Sequence, residues 1–319
     1  MKILICPLNW GLGHATRCVP IIQQLIAEGH ELVLVSDGFP LQFLRQEFPS
    51  IRIIELPSYP IQYSDGKSQV AAMFRSFPAI VKGIINEHNW LKKLLRNEHF
   101  DQIISDNRFG MWNKKVHSIY ITHQLMIKMP KGLKLFEPLV WLMHRCIINR
   151  YNECWIPDTN ENGGLSGDLS HKYPLPRNAK FIGILSRFKN IKKIQPNTNF
   201  EVVAVLSGVE PQRTMLEKEL IQRYNTAKHQ TIIVMGQPRE VKKEIKIGNI
   251  TFVSHLSSIE LAEVLVGAKH IISRSGYSTI MDLATLNCLQ KAELIPTPGQ
   301  TEQEYLFQLT NENKLRIER

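Results

Sequence analysis

What the 319-residue chain lacks narrows its class first. It has five cysteines, scattered and odd in number, with no Cys-X-X-Cys pair. That spacing offers neither a disulfide framework nor a zinc site, and it fits reduced thiols. No apolar run approaches the roughly 18–20 residues that span a bilayer. The opening Met1-Lys2-Ile3-Leu4-Ile5-Cys6 is followed at once by Pro7 and a glycine loop, so it reads as a first strand and not as a leader. The expected setting is cytoplasmic. There is no low-complexity tract, no short repeat and no helix-turn-helix, RNP-type or finger pattern, so nucleic acid is not an expected partner. No Asp-X-Asp motif occurs, which removes the usual acidic clamp for a metal-bound diphosphate.

Acids are also in short supply, 29 against 39 Lys and Arg, for a net charge of +10. The excess is local: between Met111 and Arg150 there are seven Lys and Arg against the single acid Glu137. A one-sided stretch of this kind predicts an anionic partner. Within it, Lys128, Lys131 and Lys134 alternate with Leu, Met, Ile and Phe over Gln124–Phe136, a pattern suited to a peripheral contact with an anionic membrane surface. The following stretch, to Tyr151, reads as an ordinary core helix.

What is present is an alternation of short β-branched runs with helical patterns, the mark of parallel α/β folds. Strands are expected at Lys2–Cys6, Glu31–Ser36, Ile51–Glu55, Gln102–Ser105, Ser118–Thr122 and Glu153–Ile156. A second series covers Glu201–Leu206, Thr231–Met235, Ile250–Val253, His270–Ser273 and Glu293–Ile295. Helices fall between them, including a long one that ends at Leu95. The polar, basic stretch 187–199 with Pro196 reads as a linker between an N-terminal domain over residues 1–186 and a C-terminal domain over residues 200–319. The fold class is therefore α/β, two Rossmann-like domains facing each other across a cleft, and such sheets bind ligands at the carboxyl ends of their strands.

Three strand-to-helix turns carry the chemistry. Gly11-Leu12-Gly13-His14 follows the first strand, where glycines admit close backbone approach and the next helix offers free N–H groups. Read as a dinucleotide fingerprint it lacks the third glycine, Thr16 standing there, although Asp37 after strand two would suit a ribose. Ser207-Gly208-Val209-Glu210, with Arg213 beyond, and Arg274-Ser275-Gly276 repeat the arrangement in the second half. Three anion-friendly turns suit a transferase that grips a nucleoside diphosphate better than they suit an oxidoreductase.

Together with Asp282-Leu283-Ala284 and Ile295-Pro296-Thr297-Pro298…Gln303-Glu304-Tyr305, these blocks resemble glycosyltransferase family 28. That GT-B family includes the N-acetylglucosaminyltransferase of the lipid-linked peptidoglycan precursor. The resemblance implies that Asp282 takes the ribose of a UDP-sugar and that Gln303 and Glu304 meet the donor sugar. It also implies that Ser207, Gly208, Ser275 and Gly276 present N–H groups to the diphosphate. His123 and Gln124 partly match the family's acceptor-side motif, as Gly11 and Gly13 match its glycine loop. Departures are Glu304 for a glutamine, a glycine-poor loop at residues 207–210, and a crossing C-terminal helix expected to be short or absent.

The reaction expected is inverting transfer of a hexose or N-acetylhexosamine to a hydroxyl acceptor, lipid-linked in the family, with no metal and no other cofactor. Helix N-termini, helped by Arg213 or Arg274, would neutralise the leaving diphosphate. The acceptor proton needs a base. His14 is the first choice, because an imidazole ordinarily titrates near neutral pH, and Asp106 is the second. A nucleotide-sugar epimerase or NAD-dependent oxidoreductase is the alternative enzyme, and an accessory GT-B subunit without turnover is the third reading.

Overall fold

The computed structural model describes residues 1–58, 69–208 and 210–317. The expected helical lead-in over residues 59–68 and Val209 of the second turn lie outside the described residues, as does the side chain of Lys131.

The first half runs β1 (Lys2–Pro7), α1 (Gly13–Ala27), β2 (Glu31–Ser36), α2 (Gly38–Glu47), β3 (Arg52–Glu55), α3 (Gln69–Asn97), β4 (Gln102–Asp106), β5 (His117–Ile121), α4 (Glu137–Ile148), β6 (Glu153–Ile156), α5 (Asp168–His171) and β7 (Ala179–Phe181). These strands form a seven-stranded, wholly parallel sheet in the order β3-β2-β1-β4-β5-β6-β7. Ile3 and Ile5 pack on one face, with Val19 and Ile22 of α1. Leu4 and Cys6 pack on the other, with Leu91 of α3. Both faces are covered, so the central strands β1 and β2 run apolar at successive positions instead of alternating.

The second half runs β8 (Val202–Val205), α6 (Gln212–Tyr224), β9 (Thr231–Val234), β10 (Glu244–Ile247), β11 (Ile250–Val253), α7 (Ser258–Gly267), β12 (His270–Arg274), α8 (Tyr277–Thr285), β13 (Ala292–Ile295) and α9 (Thr301–Ile317). Its sheet has the order β10-β11-β9-β8-β12-β13, parallel except for the edge strand β10. Helix α7 begins with a full capping box, Ser257 and Glu260 each satisfying the other's backbone N–H.

Helix α9, which carries Gln303 and Glu304, has 17 residues, and Leu306 on it is fully buried in the same core cluster as Leu169 from the first half. Two features differ from the sequence reading. The segment at Lys128 is not a free docking loop. Leu125 and Met126 are buried, and the Lys128 ammonium bonds Asp168 at 2.7 Å and lies 4.2 Å from the Tyr305 ring centre. Helix α4 and the 3-10 turn before it turn only part of their apolar residues into the core. Glu137, His144 and Ile148 are buried, while Leu135 (94% exposed), Phe136, Leu139, Leu142 and Met143 face outward. Glu137 tolerates burial because Lys172 reaches it at 2.7 Å, and burial pushes His144 down to about 4, so that it stays neutral.

Candidate functional site

Both sheets put their chain reversal at the same kind of place. In the first, β1 lies between β2 and β4, so the chain leaves β1 to one side and returns to the other at β4. In the second, β8 lies between β9 and β12. The carboxyl ends flanking such a reversal leave a crevice between diverging loops. Register puts Pro7 opposite Asp106 in the first sheet, which sets the glycine loop beside the end of β4. It puts Ser273 opposite Val205 in the second, which sets Ser207-Gly208 beside Ser275-Gly276. The two crevices meet: the Ser278 hydroxyl in the first turn of α8 donates to the Gly13 carbonyl at 3.0 Å. A Cβ on Gly13 would stand 2.9 Å from that hydroxyl, so a side chain there would push the halves apart. Gly11, at φ +101°, holds the left-handed backbone that the turn into α1 requires.

At this junction the two candidate bases turn out to be partners. Nδ1 of His14 lies 2.7 Å from a carboxylate oxygen of Asp106, which is wholly buried. Nη2 of Arg17 also lies 3.0 Å from that Nδ1, but Arg17 only donates and the carboxylate, which only accepts, is the nearer partner, so Nδ1 gives its proton to Asp106 and Nε2 keeps its lone pair. Burial alone would raise the Asp106 carboxyl. The Arg17 guanidinium, then His14, outweigh it and hold the group at about 2. Arg17 is 1% exposed and grips both carboxylate oxygens, one through Nε at 2.5 Å and the other through Nη2. Its Nη1 reaches Nδ1 of His123 at 2.9 Å, and Nε2 of His123 meets Glu302 of α9 at 2.8 Å. The His123 ring also stacks on Tyr277 at 4.2 Å, with the planes 3° apart.

The other expected site residues are placed less openly. Asp282 is buried with its carboxylate accepting from Ser186 at 2.6 Å and facing Arg187 at 3.4 Å. Burial raises its pKa, against Arg187 and Ser186. Gln303 accepts from the Thr297 N–H and receives the Ser275 hydroxyl on its own carbonyl, while Glu304 accepts from the Gly299 N–H. Gln124 bonds back to Thr122. The two arginines are not aimed at a phosphate. Arg213 is taken by Glu210 and Glu217, and Arg274 donates to the Pro296 and Gln212 carbonyls. Asp37, the acid that an NAD enzyme would turn to a ribose, accepts two bonds from Ser58 instead.

Sequence reasoning assigned no role to Arg17, Tyr277 or Glu302. Arg17 had a readable signal, three residues past His14 and so on the same helix face. Glu302 had none, because its partner lies 179 residues away. Among the described residues no His, Cys, Asp and Glu group gathers as a metal site. Two open cavities, of about 580 and 590 Å³, lie around Trp112, Asn113 and Lys114, and none of the residues named above lines them.

No protein-family model matches the chain, and no curated protein is similar to it in sequence. Its shape does match solved structures. The chain superposes on the Arabidopsis thaliana protein UGT89C1 with a TM-score of 0.57 at 12% identity, covering 99% of this chain and 83% of that one. For the glycosyltransferase SnogD from Streptomyces nogalater the TM-score is 0.52 at 12% identity, with 99% of each chain covered. For a putative UDP-N-acetylglucosamine 2-epimerase from Listeria monocytogenes it is 0.55 at 11%, covering 98% and 89%. The architecture is GT-B-like, two Rossmann-like α/β sheets, as the sequence reading expected.

Proposed function

We propose that this chain is an inverting, metal-independent glycosyltransferase that moves a hexose or N-acetylhexosamine from a UDP-sugar to a hydroxyl acceptor. The observation that carries the reading is the 2.7 Å His14–Asp106 pair set against the first turn of α8. Nε2 of His14 is the base: it removes the acceptor proton as the hydroxyl attacks the anomeric carbon, and Asp106 stabilises the imidazolium that forms. On the opposite side the diphosphate leaves with growing negative charge. The free N–H groups at the start of α8, with Ser207 and Gly208 after β8, are the groups to receive it. Likeness in fold to the glycosyltransferase SnogD supports this reading, and the likeness to a putative epimerase keeps donor-only chemistry as the second one.

In this reading the nucleotide sits on the second sheet, with Asp282 on the ribose. Asn at residue 282 keeps one acceptor for Ser186 but removes the charge. UDP binding should then weaken by about 1.5–3 kcal/mol. Titration calorimetry of Asp282→Asn checks this. Unchanged affinity in a folded variant assigns Asp282 to holding the 186–187 peptide alone.

The acceptor is proposed to come from an anionic membrane surface. No described helix is long and apolar enough to cross a membrane. The exposed apolar residues of α4 and its preceding turn support contact with such a surface, and Phe77, Val81 and Ile85 of α3 are exposed as well. Both helices pack on the 109–110 loop, α3 through His88 on the Gly110 carbonyl and α4 through His144 on the Phe109 ring. The one acid of α4, Glu137, is buried and paired, so the exposed charges near the face are cationic. Lipid headgroups of opposite sign suit such a face better than a second copy of equal charge. Wild type should float with phosphatidylglycerol vesicles at low salt, and Leu139→Glu with Leu142→Glu should stay in the soluble fraction. A wild type that does not float makes a soluble acceptor the better assignment.

A further inference from the structure

We infer that Arg17, His123 and Glu302 form an interdomain relay through which the donor-side helix α9 sets the position of the His14–Asp106 pair. Arg17 is the positioning residue and Glu302 its far anchor. The inference rests on the proposed role of His14 and goes beyond it, because it makes the base conditional on how the two halves meet.

The directions of the hydrogen bonds support a chain with one consistent state. Arg17 can only donate, so Nδ1 of His123 accepts and its proton sits on Nε2. That proton is donated to Glu302, which only accepts. At the other end Arg17 donates to both oxygens of Asp106 and its Nη2 lies 3.0 Å from Nδ1 of His14, whose proton goes to the nearer Asp106 oxygen. Each link dictates the next, and a neutral His123 satisfies all of them. Tyr277, the first residue of α8, lies flat on the His123 ring, and its hydroxyl donates to the Pro157 carbonyl across the junction at 2.8 Å. Only one position of the ring serves both halves.

The anchor belongs to the donor side. Glu302 precedes Gln303, whose carbonyl holds the Ser275 hydroxyl next to the start of α8. The Thr301 hydroxyl donates to the Lys128 carbonyl at 2.6 Å, so the first turn of α9 is fastened to both halves. A shift at the diphosphate turn thus reaches Glu302 through Ser275 and Gln303. It continues to Asp106 through His123 and Arg17. When the halves separate, the Glu302–His123 bond is lost and the His123 ring that Arg17 meets is held by the first half alone.

The test uses the full chain with Glu302→Ala and Glu302→Gln. Glu302 is a third exposed, so its removal spares the core. Glu302→Ala should bind UDP as wild type does yet lose about 10- to 100-fold in kcat, the usual consequence of a misplaced catalytic group. Glu302→Gln, whose carboxamide oxygen still accepts from Nε2, should recover most of that loss. In ¹⁵N-histidine spectra, wild type should show His123 protonated on Nε2. Glu302→Ala should move the His14 Nδ1 resonance although residue 302 does not touch His14. A kcat equal to wild type's overturns the relay. So does a kcat loss with an unmoved His14 resonance, since Glu302 would then act only within α9. If wild type turns over no donor, the functional reading fails by itself, and the His14 resonance still decides on the relay.

Discussion

Replacing His14 with Ala should lower kcat by about 10²–10⁴-fold while leaving the KM for donor nearly unchanged. The imidazole is tied to Asp106 at the junction, and in the proposed reaction it meets the acceptor hydroxyl and not the diphosphate. Removing it deletes a proton acceptor that acts only as the hydroxyl attacks, so ground-state binding of the nucleotide has no reason to change. Asp106→Asn should behave differently. An amide can present its NH₂ to Nδ1, which turns the imidazole to the tautomer with Nε2 protonated and blocks the base while the protein stays folded. Steady-state kinetics of both variants check the assignment. A loss under about tenfold in His14→Ala moves the base elsewhere.

Replacing Arg17 with Met should destabilise the protein by about 3–5 kcal/mol, the largest stability effect expected of a single change at the site. The guanidinium and the Asp106 carboxylate are both buried, and neither has water to fall back on. Removing the cation strands a carboxylate whose remaining partners are His14 and the weak donor Cys18, 3.7 Å away. Urea unfolding should show the loss. The double variant with Asp106→Asn should be less destabilised than the two single changes added together, because the stranded charge is gone. The pH dependence has a definite sign. With Asp106 held near 2 against 3.8 for the free group, its contribution is full above about pH 4. It is lost as pH falls toward 2. Full additivity in the double variant would mean that Arg17 supports the site by packing alone.

Much of the architecture was legible because parallel strands buried on both faces read as continuous apolar runs. Leu32–Val35 and Ile232–Val234 are examples, and the glycine turns after β1, β8 and β12 mark where those strands yield to a helix. β10 was not legible. Its sequence Glu-Ile-Lys-Ile is exposed at every position and pairs on one side only, so burial left no pattern to read. α4 misled for the opposite reason. Its apolar residues recur at helical spacing, but that spacing does not say which face turns inward, and here the polar Glu137 and His144 do, together with Ile148. α9 follows a proline-rich stretch and has many polar residues, and its burial comes from a few contacts such as Leu306.

The site was legible one residue at a time. His14 sits at a helix start and Asp106 at a strand end, positions that topology favours for chemistry. Each was singled out for itself. Their pairing depends on β1 and β4 lying side by side, which no local pattern states. Arg213 and Arg274 were natural candidates for a phosphate because arginine favours that geometry. Their nearer partners, Glu217 across one helical turn and the Pro296 carbonyl, took precedence in the fold. The interdomain contacts of Glu302 and Tyr277 could be found only once both halves were in place.

One measurement tests transfer with inversion most directly: NMR of the wild-type protein with an α-linked UDP-sugar in D₂O containing EDTA. Water stands in for the hydroxyl acceptor, and the first-formed anomer is read before mutarotation. Transfer by direct attack should release UDP and the β-anomer, without metal, and with hydrogen kept at C2 because no bond to C2 breaks. Deuterium at C2 or a C2-epimeric sugar would contradict it in favour of epimerase chemistry. Release of the α-anomer would contradict inversion, and turnover restored only by Mg²⁺ or Mn²⁺ would contradict leaving-group stabilisation by the chain's own N–H groups.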